Sequence, residues 1–423
     1  MKKVRLGLAL VIVSLFVVSL GVSAEVTTIR YFGHTFEPTN LLVQELIKEF
    51  EAQNPDIKVE YEWVTSSQYE EKLLTELAAG IGPDLWHVRD RSFLTFFRVG
   101  AFAPIMPSAF GVETQDDIIA LYEPGTVEPY MMDGVLYGIP KEHNILTLYY
   151  RMDHFREAGL DPNKPPTTWD ELIEMGKALT QRDSRGRLLR SGFEWNNAAS
   201  GKLTRFASIL YQAGGDFFNE DMTESIINNE AGLKAAETYI APIKAGIYDP
   251  GYHLEEDFEN GRVSMTTSGP YLPSNIDVKY PHLKYGVDYA AAPYPVIEGG
   301  EPAAIFTGWG WVVNARSKNQ EAAWKFIAFM SERPGLWLQR TGFIQPRKGL
   351  LDDPVAETVP QLQTFLDLNP IMRTMPRTPI YVEMQEPFVE MIDRIALEGM
   401  DPQEALDILK AELDELLRIY HQN

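Results

Sequence analysis

Six large aromatic residues, Trp63, Trp86, Trp195, Tyr271, Trp309 and Trp311, fall where predicted strands give way to loops, beside glycine, proline or polar residues. A sugar ring offers one face of C–H groups and a rim of hydroxyls. The face packs on an aromatic ring, and the rim takes planar partners such as Asp, Glu, Asn and Arg. Such partners stand close by: His34 and Arg89-Asp90-Arg91 at the ends of early strands, Glu142-His143-Asn144 after Pro140, and Asn196-Asn197 directly after Trp195. Each aromatic also has an ordinary alternative as core. Trp86, alternating within a strand, and Trp311, just inside one, have the pattern of core residues. Tyr271 and Trp309, set beside glycines, have the pattern of ligand contacts.

Other chemistries leave weaker traces. The seven histidines are scattered, with no His-Glu-x-x-His and no Asp-x-Asp-x-Asp-Gly loop, so no metal site is expected. There is no Walker A motif, and Gly308-Trp309-Gly310 puts a bulky ring where a pyrophosphate would need access. A Gly-x-Ser-x-Gly nucleophile is absent, and no pair of carboxylates stands out as acid and nucleophile in a chain with 60 Asp and Glu. No catalytic residue and no cofactor are expected.

The elements that must hold these residues follow from hydrophobic spacing. Val26–Phe32, Ile57–Trp63 and Asp84–Val88 read as strands, with amphipathic helices after Thr39 or Asn40 and over Tyr69–Ala79. Strand, helix, strand, helix, strand at this spacing is a βαβαβ unit, whose ligands collect at the carboxyl ends of the strands. Asp133-Gly134 predicts a tight hairpin turn, Pro140 a stop, and Ile145–Tyr150 a buried strand entered through polar residues. A polar tetrad leading into a buried strand suits a crossing between two lobes.

At 423 residues the chain exceeds one ordinary core. Its 45% hydrophobic and 23% charged content is that of a globular protein. Met1-Lys2-Lys3-Val4-Arg5, the apolar run Leu6–Val22 and Val22-Ser23-Ala24 have the form of a cleavable signal peptide, residues 1–24. With no cysteine there is no disulfide and no lipid-anchor cysteine, so a periplasmic or secreted, freely soluble protein is expected. Cleavage removes three basic residues and no acid, taking the net charge from −22 to about −25. Such a field argues against nucleic acid as a partner.

Several motifs, in this order, carry a resemblance. They are Phe50-x-x-x-Asn54-Pro55-Asp56-Ile57, Leu77-Ala78-Ala79-Gly80-x-Gly82-Pro83-Asp84, Asp133-Gly134-x-x-Tyr137-Gly138-Ile139-Pro140, Pro166-Thr167-Thr168-Trp169-Asp170-Glu171-Leu172, Gly261-Arg262-Val263-x-Met265, Gly269-Pro270-Tyr271 and Ser317-Lys318-Asn319-x-Glu321-Ala322-Ala323-Trp324. The chain resembles the family 1 extracellular solute-binding proteins, the sugar receptors of ABC importers. The resemblance implies an α/β, two-lobe periplasmic-binding-protein fold. Each lobe is a βα sandwich with a mostly parallel sheet, the lobes are joined by hinge crossings, and the ligand closes between them. The expected division is 25–143 with 296–332 for one lobe, and 144–295 with 333–423 for the other. Implied partners are a small carbohydrate, a membrane permease and its ATPase, with the receptor monomeric and without chemistry of its own. An exported carbohydrate-active enzyme and the binding subunit of a sugar sensor remain the alternatives. By the resemblance, Arg89-Asp90-Arg91 and Asn144, with Glu142 and His143 beside it, lie where polar sugar contacts fall. Tyr271 takes the place of a stacking aromatic, and Trp309 follows a Thr307-Gly308 pair where many members carry Gly-Gly. The expected ligand contacts are therefore His34, Trp63, Arg89, Asp90, Arg91, Glu142, His143, Asn144, Trp195, Asn196, Tyr271, Trp309 and Trp311.

Overall fold

The computed structural model describes residues 26–65, 68–195, 199–251 and 257–422. The expected signal segment and Asn196 lie outside the described residues. The strand Thr27–His34 lies between Ile57–Val64 and Leu85–Arg89, parallel to both. The helices Glu37–Gln53 and Tyr69–Ala78 connect them. The first buries Leu42, Val43, Leu46 and Phe50, one stripe at helical period. It begins ahead of the expected caps Thr39 and Asn40, with a proline in its first turn, where a missing N–H costs nothing. Asn40 serves instead from inside the helix, accepting a hydrogen bond from the Tyr61 hydroxyl at 2.6 Å.

Two antiparallel strands, Gly138–Ile145 and Ala304–Val313, complete this larger sheet and run between the halves of the molecule. Ala304–Val313 pairs through Trp309–Val313 with Leu85–Arg89, and through Ala304 and Ile305 with the short strand Met372–Arg373. Pro140 does not end its strand as expected. The ladder shifts register between Trp309 and Gly310, leaving Lys141 as an extra residue in a bulge on the sheet's edge. Edges and bulges are where a residue without an N–H is tolerated. The Asp133-Gly134 turn forms as the pair predicts, both residues at positive φ (51° and 76°) between Met131–Met132 and Val135–Leu136.

Past Leu146 the chain enters a second sheet. Thr147–Arg151 is its centre, flanked antiparallel by Met265–Ser268 and Tyr289–Ala292. Parallel contacts here are single bridges, such as Ser191 to Val263 and Glu194 to Thr266. Parallel pairing is thus concentrated in the larger sheet.

Two main cores result. One gathers residues from Ile29 to Ile139 and from Trp311 to Phe343; the other gathers Ile145 to Ile305 and Leu368 to Leu417. The long strand Ala304–Val313 feeds both, since Ala304 and Ile305 pack in the second and Trp311, Val312 and Val313 in the first. The packing departs from the expected boundaries at two places. Ala304 and Ile305 belong with the second core, and Trp337 and Phe343, past residue 332, with the first, where Trp337 meets Trp311 edge-on at 5.5 Å.

Candidate ligand-binding site

Directly opposed residues of antiparallel strands share a face. Arg89, Trp309 and Glu142 are opposed across three adjacent strands, and two residues along, Thr307 opposes Asn144. This face forms the floor of a cavity of about 240 Å³ at the junction of the two cores. His34 and Phe36, at the carboxyl end of the first strand, form one wall together with Arg91 and Phe343. Thr204 and Arg205, on a helix packed in the second core, line it as well, and Tyr271 reaches it beside Phe36 and Phe343.

The floor is an aromatic and ionic stack. His34 lies against Trp309 at 4.7 Å and 18°, and the Arg89 guanidinium sits over the Trp309 ring at 4.5 Å. Arg89 is held by Glu70 at 2.9 Å. His34 Nδ1 meets His87 Nε2 at 2.8 Å, and burial holds both imidazoles well below the ordinary histidine range, with Lys141 and Arg89 pushing the same way. The stack therefore adds no histidine charge to the cleft near neutral pH. The bulge brings Lys141 onto Glu142 at 2.9 Å, although neighbours in a regular strand point apart. Burial raises the Glu142 carboxyl against the pull of Lys141. Asn144 donates to Glu142 Oε1 at 3.0 Å, and its own Oδ1, in a side chain 1% exposed, has no partner among the described residues. Asp90 is buried behind the cavity, 3.6 Å from Arg91 and accepting from the Gly308 N–H, and burial raises its carboxyl. Arg91 lies over Tyr381, which packs in the second core.

Tyr271 is presented differently from Trp309. It meets Phe36 and Phe343 edge-on, at 5.8 and 6.0 Å, so its ring rests against the first core without being stacked on either, while its backbone follows the second sheet's strand Met265–Ser268. Gly269 makes room for it: a Cβ there would stand 2.4 Å from the ring.

Of the expected contacts, the structure gathers His34, Arg89, Arg91, Glu142, Asn144, Tyr271 and Trp309 around one cavity, with Asp90 behind them. Others go elsewhere. Trp195 is buried in the second core, stacked on Tyr239 at 4.7 Å and donating to its carbonyl. Trp311 faces the same way as Trp309 but two residues deeper, roofed by Trp337 and donating to the Tyr31 hydroxyl. His143 alternates to the back of its strand, where it packs on Phe306 at 4.1 Å and its Nε2 meets Met372 Sδ. It lines a separate cavity of about 600 Å³ with Gln345 and Phe365. Trp63 is 40% exposed beside Tyr61 and does not line the cleft. The sequence reading missed Phe36, Thr204, Arg205, Thr307 and Phe343. For Thr204 and Arg205 a signal existed: with Gly201 they share one face of the helix Ala199–Gln212. Among the described residues no group of three or more His, Cys, Asp or Glu is placed to hold a metal ion.

Known proteins agree with this architecture. The solute-binding protein of an ABC transporter from Thermotoga lettingae, solved with α-D-tagatose, superposes with a TM-score of 0.82 at 24% identity, covering 92% of this chain and 100% of that one, a likeness of fold. The sn-glycerol-3-phosphate-binding periplasmic protein UgpB of Escherichia coli (strain K12) is 26% identical over 442 residues, 96% of this chain and 95% of its own. The galactooligosaccharide-binding protein of Bacillus subtilis (strain 168) is 23% identical over 381 residues, 86% of this chain and 84% of its own. The family model described as bacterial extracellular solute-binding protein matches residues 38–335, and the chain belongs to that family.

Proposed function

We propose that this protein captures a carbohydrate between its two lobes outside the cytoplasm and delivers it to an ABC-type importer. The observation that carries the reading is the convergence of aromatic and polar side chains from both cores on one cavity: Arg89, Trp309 and Glu142 from the crossing sheet, Tyr271 and Arg205 from the other side. The two relatives are named for a galactooligosaccharide and for sn-glycerol 3-phosphate, both hydroxyl-bearing ligands.

Each part then has a task. Tyr271, with only edge contacts, offers a ring to the C–H face of a sugar. Asn144 Oδ1 and the Glu142 carboxylate accept from hydroxyls. Trp309 is already stacked by His34 and Arg89, so it acts as the fixed backing of the floor rather than as a bare plate. Binding shifts the lobes toward closure by the difference between ligand contacts in the closed and open arrangements. The role needs no catalytic step, metal or nucleic acid, and a monomer suffices. The signal-like residues 1–24 and the absence of cysteine fit an exported protein free of a lipid anchor.

A thermal-shift screen of the purified protein against neutral and acidic mono- and oligosaccharides tests the reading, since a ligand of the folded state raises Tm by mass action. If no saccharide raises Tm, the carbohydrate assignment is wrong.

A further inference from the structure

We infer that the ligand of this cleft carries an acidic group, a carboxylate or a phosphate, which Arg205 and Arg91 hold. This deepens the carbohydrate reading and rests on it. Three of the four cations at the cleft have a carboxylate partner: Arg89 has Glu70 at 2.9 Å, Lys141 has Glu142 at 2.9 Å, and Arg91 has Asp90 at 3.6 Å. Arg205, only 4% exposed, has none among the described residues. Its hydrogen bonds go to the Thr267 hydroxyl, the Thr267 carbonyl and the Gly201 carbonyl, all neutral. They use three of the five N–H groups of a guanidinium and leave one on each terminal nitrogen. Two such hydrogens are what a carboxylate or phosphate accepts side by side.

Two further features point the same way. Gly201 and Thr204, in the opening turns of the 14-residue helix Ala199–Gln212, line the cavity, so the positive end of that helix faces it. Across the cleft, Arg91 is 8% exposed, lines the cavity and has no partner for its Nε–H among the described residues. A sugar hydroxyl would satisfy these hydrogens but leave the buried Arg205 charge without a counter-charge; an anion supplies both. The chain's net charge of −22 repels anions at long range. That field decays over roughly 8 Å in physiological salt, and inside the cleft the unmatched charge is positive.

The test compares matched pairs by thermal shift and then calorimetry: galactose with galacturonate, glucose with glucuronate, and glucose with glucose 6-phosphate. Glycerol 3-phosphate and inorganic phosphate serve as sugar-free anions. The expected result is an acidic member binding at least roughly tenfold tighter than its neutral partner, a difference of about 1.4 kcal/mol. Arg205→Gln should erase that preference while the protein stays folded by circular dichroism. The wild-type comparison stands even where the variant folds poorly. A neutral member binding as tightly as its acidic partner overturns this inference and leaves the carbohydrate reading intact. Binding of glycerol 3-phosphate or phosphate with no saccharide bound supports the anion site and overturns the carbohydrate reading. No binding by any probe overturns both.

Discussion

Tyr271→Ala tests the cleft most directly, because this ring lines the cavity and has no stacked neighbour among the described residues. One face of a phenol ring covers roughly 40 Å² of apolar surface, worth about 1 kcal/mol at ~25 cal/mol/Å². The geometry of an aromatic contact adds about 0.5–1.5 kcal/mol. Together the loss is about 1.5–2.5 kcal/mol, or roughly 10- to 70-fold in Kd. The protein itself loses only edge contacts to Phe36 and Phe343 from a half-buried side chain, so Tm should fall by no more than a few degrees. Calorimetry with the saccharide that gives the largest thermal shift reads the affinity, and a melt without ligand reads the stability. Tyr271→Phe keeps the ring and its edges and should bind within about threefold of wild type. If Tyr271→Ala binds like wild type, the ring does not stack on the ligand. If Tyr271→Phe falls as far as the alanine variant, the hydroxyl carries the contact and the stacking argument fails.

Three further substitutions separate site from scaffold. Gly269→Ala would place a methyl 2.4 Å from the Tyr271 ring, so it should weaken binding roughly tenfold by displacing that ring, with little change in Tm; unchanged affinity would show the ring tolerates the shift. Trp311→Ala should cost about 3–5 kcal/mol in urea unfolding, because the ring is fully buried and the Tyr31 hydroxyl loses its donor; a loss near zero would place the ring outside the core. Burial lowers His143 to about 4, so the unfolded chain takes up its proton first as pH falls below 6.5. Its contribution to stability is complete above pH 6.5 and is lost down to pH 4, about 3 kcal/mol in all. His143→Gln should therefore make stability fall less steeply than in wild type between pH 7 and 4.5, and equal slopes in denaturant titrations would contradict the assignment.

What the sequence made legible was local. Strand ends are readable from turn residues, so the sequence alone puts His34 and Arg89 at the carboxyl ends of parallel strands. Tyr271 and Trp309 were readable from the glycines beside them. The failures are of two kinds. Trp195 precedes Asn196-Asn197 in the same way, yet its face is taken by Tyr239, 44 residues away on another helix, a pairing no local pattern contains. His143 failed for a different reason. Reading Pro140 as a stop hid the strand, and without the strand the period of two that separates His143 from Glu142 and Asn144 could not be applied. Arg205 was not singled out, because the Thr267 hydroxyl and carbonyl that hold its guanidinium lie 62 residues further along the chain.

The same period of two explains why floor and walls should respond differently to substitution. Arg89, Trp309 and Glu142 are fixed relative to one another by the ladders of three adjacent strands, and a hinge rotation leaves those distances alone. Tyr271 and Arg205 belong to elements carried by the second lobe, so rotation about the crossing strands changes their distance from that floor. Tyr271 also touches Phe36 and Phe343, and Tyr381 receives Arg91, which makes part of the closed seam a protein–protein contact independent of ligand. A change at Glu142 or Asn144 therefore leaves the seam alone and acts on the ligand contact and on the Lys141–Glu142–Asn144 network of the floor. A change at Tyr271 acts twice, on the contact and on the closed population that ligand must otherwise draw from the open one. Affinity losses at the seam should for that reason exceed what the lost ligand contact predicts, and the excess measures how much of closure the protein supplies before any ligand arrives.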